Sequence, residues 1–236
     1  VREAVRHAPG RVLDVYLTEA ALERHSDIWD EAVAAGLYVH VTTQQVMDAM
    51  SPDAQGLLAV VATEEATGSE ALAAALEGAR LVAVLTQAQD PGNAGTIIRA
   101  ADAAGADAVV LVRGSVDPTA PKVVRSTAGS LFHLPVVTGV ALDDAVTALH
   151  NAGLTVLAAD GRGDFDLFEA ESLLEAPSAW LLGNEAHGLP SEALSRADAV
   201  VSIPIYGKAE SLNVAAAAAV CLYASARAQA QNSGRS

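Results

Sequence analysis

The chain has 236 residues, room for one large domain or for a small one plus a medium one, and with aromatics at only 4% and alanine heavily used its helices pack through small side chains. A net charge of −15 argues against a general polyanion binder. No stretch reaches the roughly 18–20 continuous apolar residues of a membrane span, the opening residues lack a signal pattern, and the one cysteine, Cys221, lies in an Ala-rich segment, so a buried inert thiol, no disulfide, no metal site and a cytoplasmic location are expected.

In chain order, VREAVRHA (1–8) reads as a helix already under way, so the chain is expected to lack its opening residues. RVLDVYLT (11–18) reads as a strand and SDIWDEAVAAG (26–36) as a helix capped by Ser26 and stopped by Gly36. YVHVT (38–42) is a short strand, QQVMDAM (44–50) a helix and GLLAVVA (56–62) a strand. Residues 1–62 thus form a small α/β module. The acidic stretch TEEATGSEALAAALEGA (63–79) has no strand character and reads as a linker to a second domain, 80–236.

In that domain strands are expected near 81–86, 108–113, 134–137, 154–158, 179–182 and 199–203. Helices are expected near 94–104, 120–130, 142–152, 190–196 and 212–230. Such alternation predicts an α/β fold with a mostly parallel sheet covered on both faces. Ligands of such sheets sit beyond the carboxyl ends of the strands. Four segments fall there: QDPGNAG, AADGRGDFD, GNEAHGLP and IPIYGKAESLN.

Residues 1–79 carry 4 basic against 13 acidic side chains, and residues 80–236 carry 10 against 16. Positive charge gathers locally, with Arg99, Arg113, Lys122 and Arg125 set against Asp102, Asp107 and Asp117. A nucleic-acid ligand would therefore be held by a few placed cations and by shape.

Three blocks carry candidate chemistry. In GNAGTIIRAADAAGA, Gly92 and Asn93 can cap the following helix and Gly95 permits close backbone approach. Arg99 stands among Ile97, Ile98, Ala100 and Ala101. An ordinary i, i+3 pair with Asp102 would explain it, but a guanidinium near a ligand-facing loop also suits a phosphate or a reacting oxygen. In WLLGNEAHGLP a buried strand ends at Gly183 and is followed directly by Asn184 and Glu185, where a polar ligand group would be held. His187 in the same loop reads as an exposed side chain. In IPIYGKAESLNVAAAAA, Ser211 is a reasonable N-cap for the Ala-rich helix, and Asn213 is a poor helix former in its first turn. A helix start there favours an anionic group.

Together the blocks resemble the SpoU/TrmH family of SPOUT methyltransferases: N-x-G-x-x-x-R-A at Asn93, Gly95, Arg99 and Ala100, then LLGNEAHGLP, then IPIYGKAESLNVAAAAAV. The resemblance spans about 80–225. It implies a C-terminal parallel-sheet SPOUT domain with a deep trefoil knot that binds S-adenosylmethionine, with contacts carried over to Leu182, Gly183, Ile203, Pro204, Leu212 and Asn213. It implies transfer of the methyl group to a ribose 2′-hydroxyl of RNA, in which Arg99 binds and assists the reacting hydroxyl, supported by Asn93, Glu185, Ser211 and Asn213, with no metal. A homodimer completing the site, and ribosomal RNA in preference to transfer RNA, are also implied. The first 62 residues resemble the small ribosomal-protein-like (L30e-like) RNA-binding domain that precedes this catalytic domain in such proteins. A non-catalytic RNA-binding or ribosome-assembly protein of the same fold is the competing reading. A Rossmann-type nucleotide enzyme is disfavoured, because no Gly-rich dinucleotide loop follows the first strand of either half.

Overall fold

The computed structural model describes residues 1–63, 66–184 and 188–233. The chain divides into two compact units between residues 64 and 65.

The first unit holds a three-stranded sheet of β1 (Val12–Thr18), β2 (Tyr38–Thr42) and β3 (Leu57–Val61) in the order β2-β1-β3. β2 runs parallel to β1 and β3 antiparallel. Four helices accompany it: α1 (Arg2–His7), α2 (Glu19–Arg24), α3 (Ser26–Ala34) and α4 (Gln44–Met50). Val15 and Leu17 of β1 are fully buried, as are Ala21, Ala32 and Met47 from three of the helices. Thr18 caps α2 by accepting from the Ala21 N–H, and Thr43 caps α4 by accepting from Val46. The expected Ser26 cap is not formed. Ser26 is the first helical residue, preceded by His25, because α2 ends one residue earlier and leaves no extended position for a capping side chain. Arg6 grips Glu31 with two hydrogen bonds of 2.7 and 2.6 Å, and Arg2 reaches Asp27 at 2.8 Å, so ion pairs tie α1 to α3.

The second unit is a seven-stranded sheet in which every neighbouring pair is parallel. Its strands are β4 (Leu81–Leu85), β5 (Ala108–Val112), β6 (Val136–Val140), β7 (Thr155–Ala159), β8 (Phe165–Asp166), β9 (Ser178–Leu182) and β10 (Ala199–Ser202), in the order β6-β5-β4-β9-β7-β10-β8. Its helices are α5 (Gly68–Ala75), α6 (Pro91–Ala103), α7 (Pro121–Ser126), α8 (Leu142–Asn151), α9 (Glu171–Leu174), α10 (Ser191–Arg196) and α11 (Val214–Ser233).

Strand side chains alternate, and so does the core. Leu81, Ala83, Leu85, Leu157, Trp180 and Leu182 pack with residues of α6, α7, α9 and α11. Val82, Val84, Val156, Ala158 and Leu181 pack with α5, α8 and α10 on the other face. Both faces are therefore apolar, which is why these strands read as unbroken hydrophobic runs. Polar ties fix α11 to the sheet: Trp180 Nε1 donates to Ser225 Oγ at 2.9 Å, and Gln229 Nε2 donates to the carbonyls of Arg80 and Ala176.

The stretch expected to be a linker contains α5. Leu72 and Leu76 lie one turn apart and are 1% and 3% exposed in the core, an amphipathic pattern hidden by the surrounding alanines. The short elements β8 and α9 were also not anticipated. They are held by Leu167 and Leu174, both buried in the face shared with α11.

After β7 the chain runs to the sheet edge as β8, returns to the centre as β9 between β4 and β7, and then forms β10 between β7 and β8. The turn after β7 lies directly on β10. A Cβ on Gly163 would sit 2.6 Å from the Val200 carbonyl oxygen and 2.8 Å from the Ser202 nitrogen. Gly163→Ala should therefore cost about 1–3 kcal/mol of stability, read as a lower midpoint in urea denaturation. Burial pushes the Cys221 thiol up to about 12. It should resist a thiol-specific reagent at neutral pH in the folded protein and react at once when the chain is unfolded in urea.

Candidate active site

The site is built where β4, β9 and β10 end. At the end of β4, both the N–H and the Oγ1 of buried Thr86 donate to the Leu182 carbonyl at 2.9 Å, which locks the ends of β4 and β9 together. Gln87 follows with φ of 57°, in the left-handed region that costs a non-glycine residue. Its carbonyl accepts from Asn184 Nδ2 at 2.9 Å, so the loop after β9 holds the turn after β4 in this conformation.

Asp90 then starts α6. It is extended, its Oδ1 accepts from the Asn93 N–H at 2.8 Å, and Pro91 occupies the first helical position. The cap is thus Asp90, in place of the expected Gly92 or Asn93. The physical reason lies in the sequence: Asp-Pro is a helix-start pair, because proline has no N–H to lose and presets φ. Freed from capping, Asn93 offers its Oδ1 to Asn213 Nδ2 at 3.1 Å.

Asn213 sits at the start of α11. Its Oδ1 accepts from the N–H groups of Ala215 and Ala216 at 2.9 and 3.3 Å, so it is the N-cap of this helix. The expected cap, Ser211, lies two residues before it, exposed and without a hydrogen-bond partner among the described residues. A poor helix former at this position is explained by that role. One amide serves two ends: its oxygen closes α11 and its nitrogen reaches the first turn of α6.

Arg99 lies six residues along α6 from Asn93, about 9 Å up the axis and roughly 120° round it. The i, i+3 pair with Asp102 does not form, because Asp102 Oδ2 is taken by His133 Nδ1 at 2.7 Å. Among the described residues the Arg99 side chain has no hydrogen bond or ion pair, and it is exposed. It shares a helix face with Gly95, four residues before it. A Cβ on Gly95 would lie 2.4 Å from Ser126 Cβ and 2.8 Å from the Val123 carbonyl oxygen, so the glycine lets α7 lie against α6. Lys122 and Arg125 of α7 are likewise exposed.

The structure thus joins Asn93 with Asn213 and the end of β4 with that of β9, and it leaves Arg99 and Ser211 reaching into solvent. Glu185 and His187 lie outside the described residues. Asp90, Thr86 and Gln87 were not anticipated as parts of the site.

The residues expected to hold a cofactor surround the same strand ends. A Cβ on Gly183 would lie 2.4 Å from the carbonyl carbon of Gly188, so the loop after β9 folds tightly back on itself. Asn184 and Gly188 exchange backbone hydrogen bonds of 3.0 and 2.8 Å to close it. From Ile203 to Leu212 the backbone forms no helix or strand, and its N–H and C=O groups make no hydrogen bond among the described residues. Leu212 is 40% and Ile205 38% exposed along this segment. Unpaired backbone groups interleaved with exposed apolar side chains suit a small ligand with both polar and flat apolar parts.

Comparison with known proteins follows the same residues. The model of the SpoU rRNA Methylase family matches residues 80–223. A 23S rRNA (guanosine(2553)-2′-O)-methyltransferase RlmP of Bacillus subtilis is 42% identical over 151 residues, which are 63% of this chain and 58% of that protein. The chain thus spans little more than half the length of that relative. A 23S rRNA (guanosine-2′-O-)-methyltransferase RlmB of Pseudomonas syringae pv. tomato is 31% identical over 235 residues, covering 96% of this chain and 92% of the other. Among solved structures, the SpoU methyltransferase AviRb from Streptomyces viridochromogenes, in complex with the cofactor AdoMet, superposes with a TM-score of 0.81 and 28% identity, covering 97% of this chain and 87% of that one.

The two roles of Asn213 separate by substitution. Asn213→Ala removes cap and contact and should lower stability by about 1 kcal/mol. Asn213→Asp keeps the capping oxygen, loses the donor to Asn93 and should leave the urea midpoint near that of the parent protein.

Proposed function

The chain belongs to the SpoU rRNA Methylase family, and we propose that it transfers a methyl group from S-adenosylmethionine to a ribose 2′-hydroxyl of RNA. Ribosomal RNA is the favoured substrate, since the relatives aligned with most or all of this chain are named for 23S rRNA. The observation that carries the reading is the Asn213–Asn93 hydrogen bond, which joins two motif blocks 120 residues apart at the carboxyl ends of a parallel sheet.

S-adenosylmethionine, when bound, supplies an electrophilic methyl group. Leu182, Gly183, Ile203, Pro204, Leu212 and Asn213 would hold it, and the unpaired backbone from 203 to 212 suits that task. The acceptor hydroxyl is a weak nucleophile, so its charge must be stabilised as its proton leaves. Arg99 carries that role. A guanidinium with a pKa above about 12 does not act as a base, but it can orient the ribose, bind the adjoining phosphate and stabilise the developing alkoxide. The proton then passes to a phosphate oxygen or a water. Asn93 and Asn213 hold the first turns of α6 and α11 in register, while Glu185 and Ser211 support the arginine or the ribose.

A deep trefoil knot belongs to the same reading. It is supported by the entry of β9 between β4 and β7 and by the contact of the Gly163 turn with β10. We assign the first unit as an L30e-like RNA-binding domain, and a homodimer in the cytoplasm, without a metal, as the working form. No helix among the described residues is long and apolar enough to cross a membrane.

Arg99→Ala should lower transfer of labelled methyl groups into ribosomal RNA by about 10²–10³-fold, the range for losing one preorganised donor. Binding of S-adenosylmethionine by calorimetry should stay within twofold of the parent. Full transfer activity in this variant would remove Arg99 from the mechanism, and absence of transfer by the parent would favour the non-catalytic RNA-binding reading.

A further inference from the structure

We propose that the open face of the three-stranded sheet in the first unit binds unpaired RNA bases by stacking. The inference rests on the reading of RNA as the substrate. Parallel pairing sets Tyr16 of β1 opposite His40 of β2, and Asp14 opposite Tyr38. Antiparallel β3 brings Leu58 beside Tyr16 and Val60 beside Asp14. Because side chains alternate along a strand, these six share one face, and the buried pair Val15 and Leu17 belongs to the other.

The face is aromatic and ordered. The Tyr16 and His40 rings stack with centroids 4.8 Å apart and planes 22° apart. A hydrogen bond of 2.8 Å between His40 Nε2 and Asp14 Oδ1 holds the imidazole in place. Tyr38, diagonal to Tyr16, is 74% exposed, and Val60 is 41% exposed. Splayed bases of single-stranded RNA are held on such rings, and the stacking tolerates any sequence because every base has a flat face.

Charge selects the same contact. The arginines of the first unit, Arg2, Arg6, Arg11 and Arg24, are engaged within it, by Asp27, by Glu31 and by the carbonyls of Ala62 and Ala20. Acidic residues outnumber them. Arg2 and Arg6 are paired with carboxylates, so binding led by phosphate contacts has few cations to use here, whereas stacking needs none.

The test is fluorescence anisotropy of the full chain with a labelled single-stranded RNA that lacks self-complementarity, and with a duplex of the same length. Tyr38→Ala should weaken binding of the single strand roughly tenfold or more, Tyr38→Phe should bind as the parent does, and the duplex should respond to neither. Tyr16→Ala should behave as Tyr38→Ala. Parental affinity in both alanine variants overturns the inference, as does equal loss in Tyr38→Phe, no single-strand binding by the parent, or a change in sedimentation of the free protein in place of a change in RNA affinity. Methyl transfer measured on the same samples keeps the two readings apart. Transfer by the parent with ring-independent binding overturns only the stacking face, and ring-dependent binding without transfer overturns only the enzymatic reading.

Discussion

Backbone contacts too close for a side chain govern the second unit. The turn at Gly163 lies on β10, and Gly183 lies on the returning chain at Gly188, each closer than a Cβ allows. The first contact follows from the placing of β9 and β10 on either side of β7 in an all-parallel sheet, whereas the second is local and brings Gly188 back against the end of β9. Segments distant in sequence must then cross at the carboxyl ends of the strands, where little room is left between them. The crossing gathers the loops after β4, β9 and β10 into one place, which is also where a parallel sheet binds ligands.

Helix starts organise what those loops carry. Asp90 closes the first turn of α6 and Asn213 that of α11, and each cap satisfies N–H groups that the helix itself cannot. The amide nitrogen of Asn213 then bridges to Asn93. A carboxylate at position 213 could cap as well, but it has no donor to offer. The same economy appears at Leu182, whose carbonyl accepts twice from Thr86 and so ties two strand ends rigidly. Arg99 is held differently: its helix is anchored by Gly95 against α7 and by Asp102 with His133, while the guanidinium itself is left to the solvent. A rigid base under an unpaired cation is a suitable arrangement for charge that develops only during reaction.

The acidic balance of the chain acquires a structural meaning in this division. In the first unit the ion pairs of Arg2 and Arg6 stabilise the packing of α1 on α3, where exposure keeps each contribution small. In the second unit Arg99, Lys122 and Arg125 sit exposed on the paired helices α6 and α7. The second unit also uses arginines for structure, Arg196 on Asp143 and Arg113 on the Gly139 carbonyl, while the Arg99 guanidinium is left to solvent, a distinction that net charge cannot express.

The sequence by itself determined the long elements and the chemistry of the blocks. Runs such as LVAVL, AVVLV and SAWLL are apolar throughout because both faces of the sheet are covered, and turn residues bound them, so their limits were legible to within a residue or two. The strand expected at 134–137 instead spans 136–140, since Gly139, at φ of 74°, reads as a breaker yet is accommodated at the sheet edge. Only the tertiary structure decided the rest. Strand β8 and helix α9 are too short to carry a period, the period of α5 is hidden among alanines, and all three exist through the burial of Leu72, Leu167 and Leu174. Local chemistry pointed to Ser211 as the cap and put Asn213 inside the first turn, whereas the structure makes Asn213 the cap. The choice depends on where the unpaired segment from 203 delivers the chain against α6, a position set by strands more than a hundred residues away in sequence.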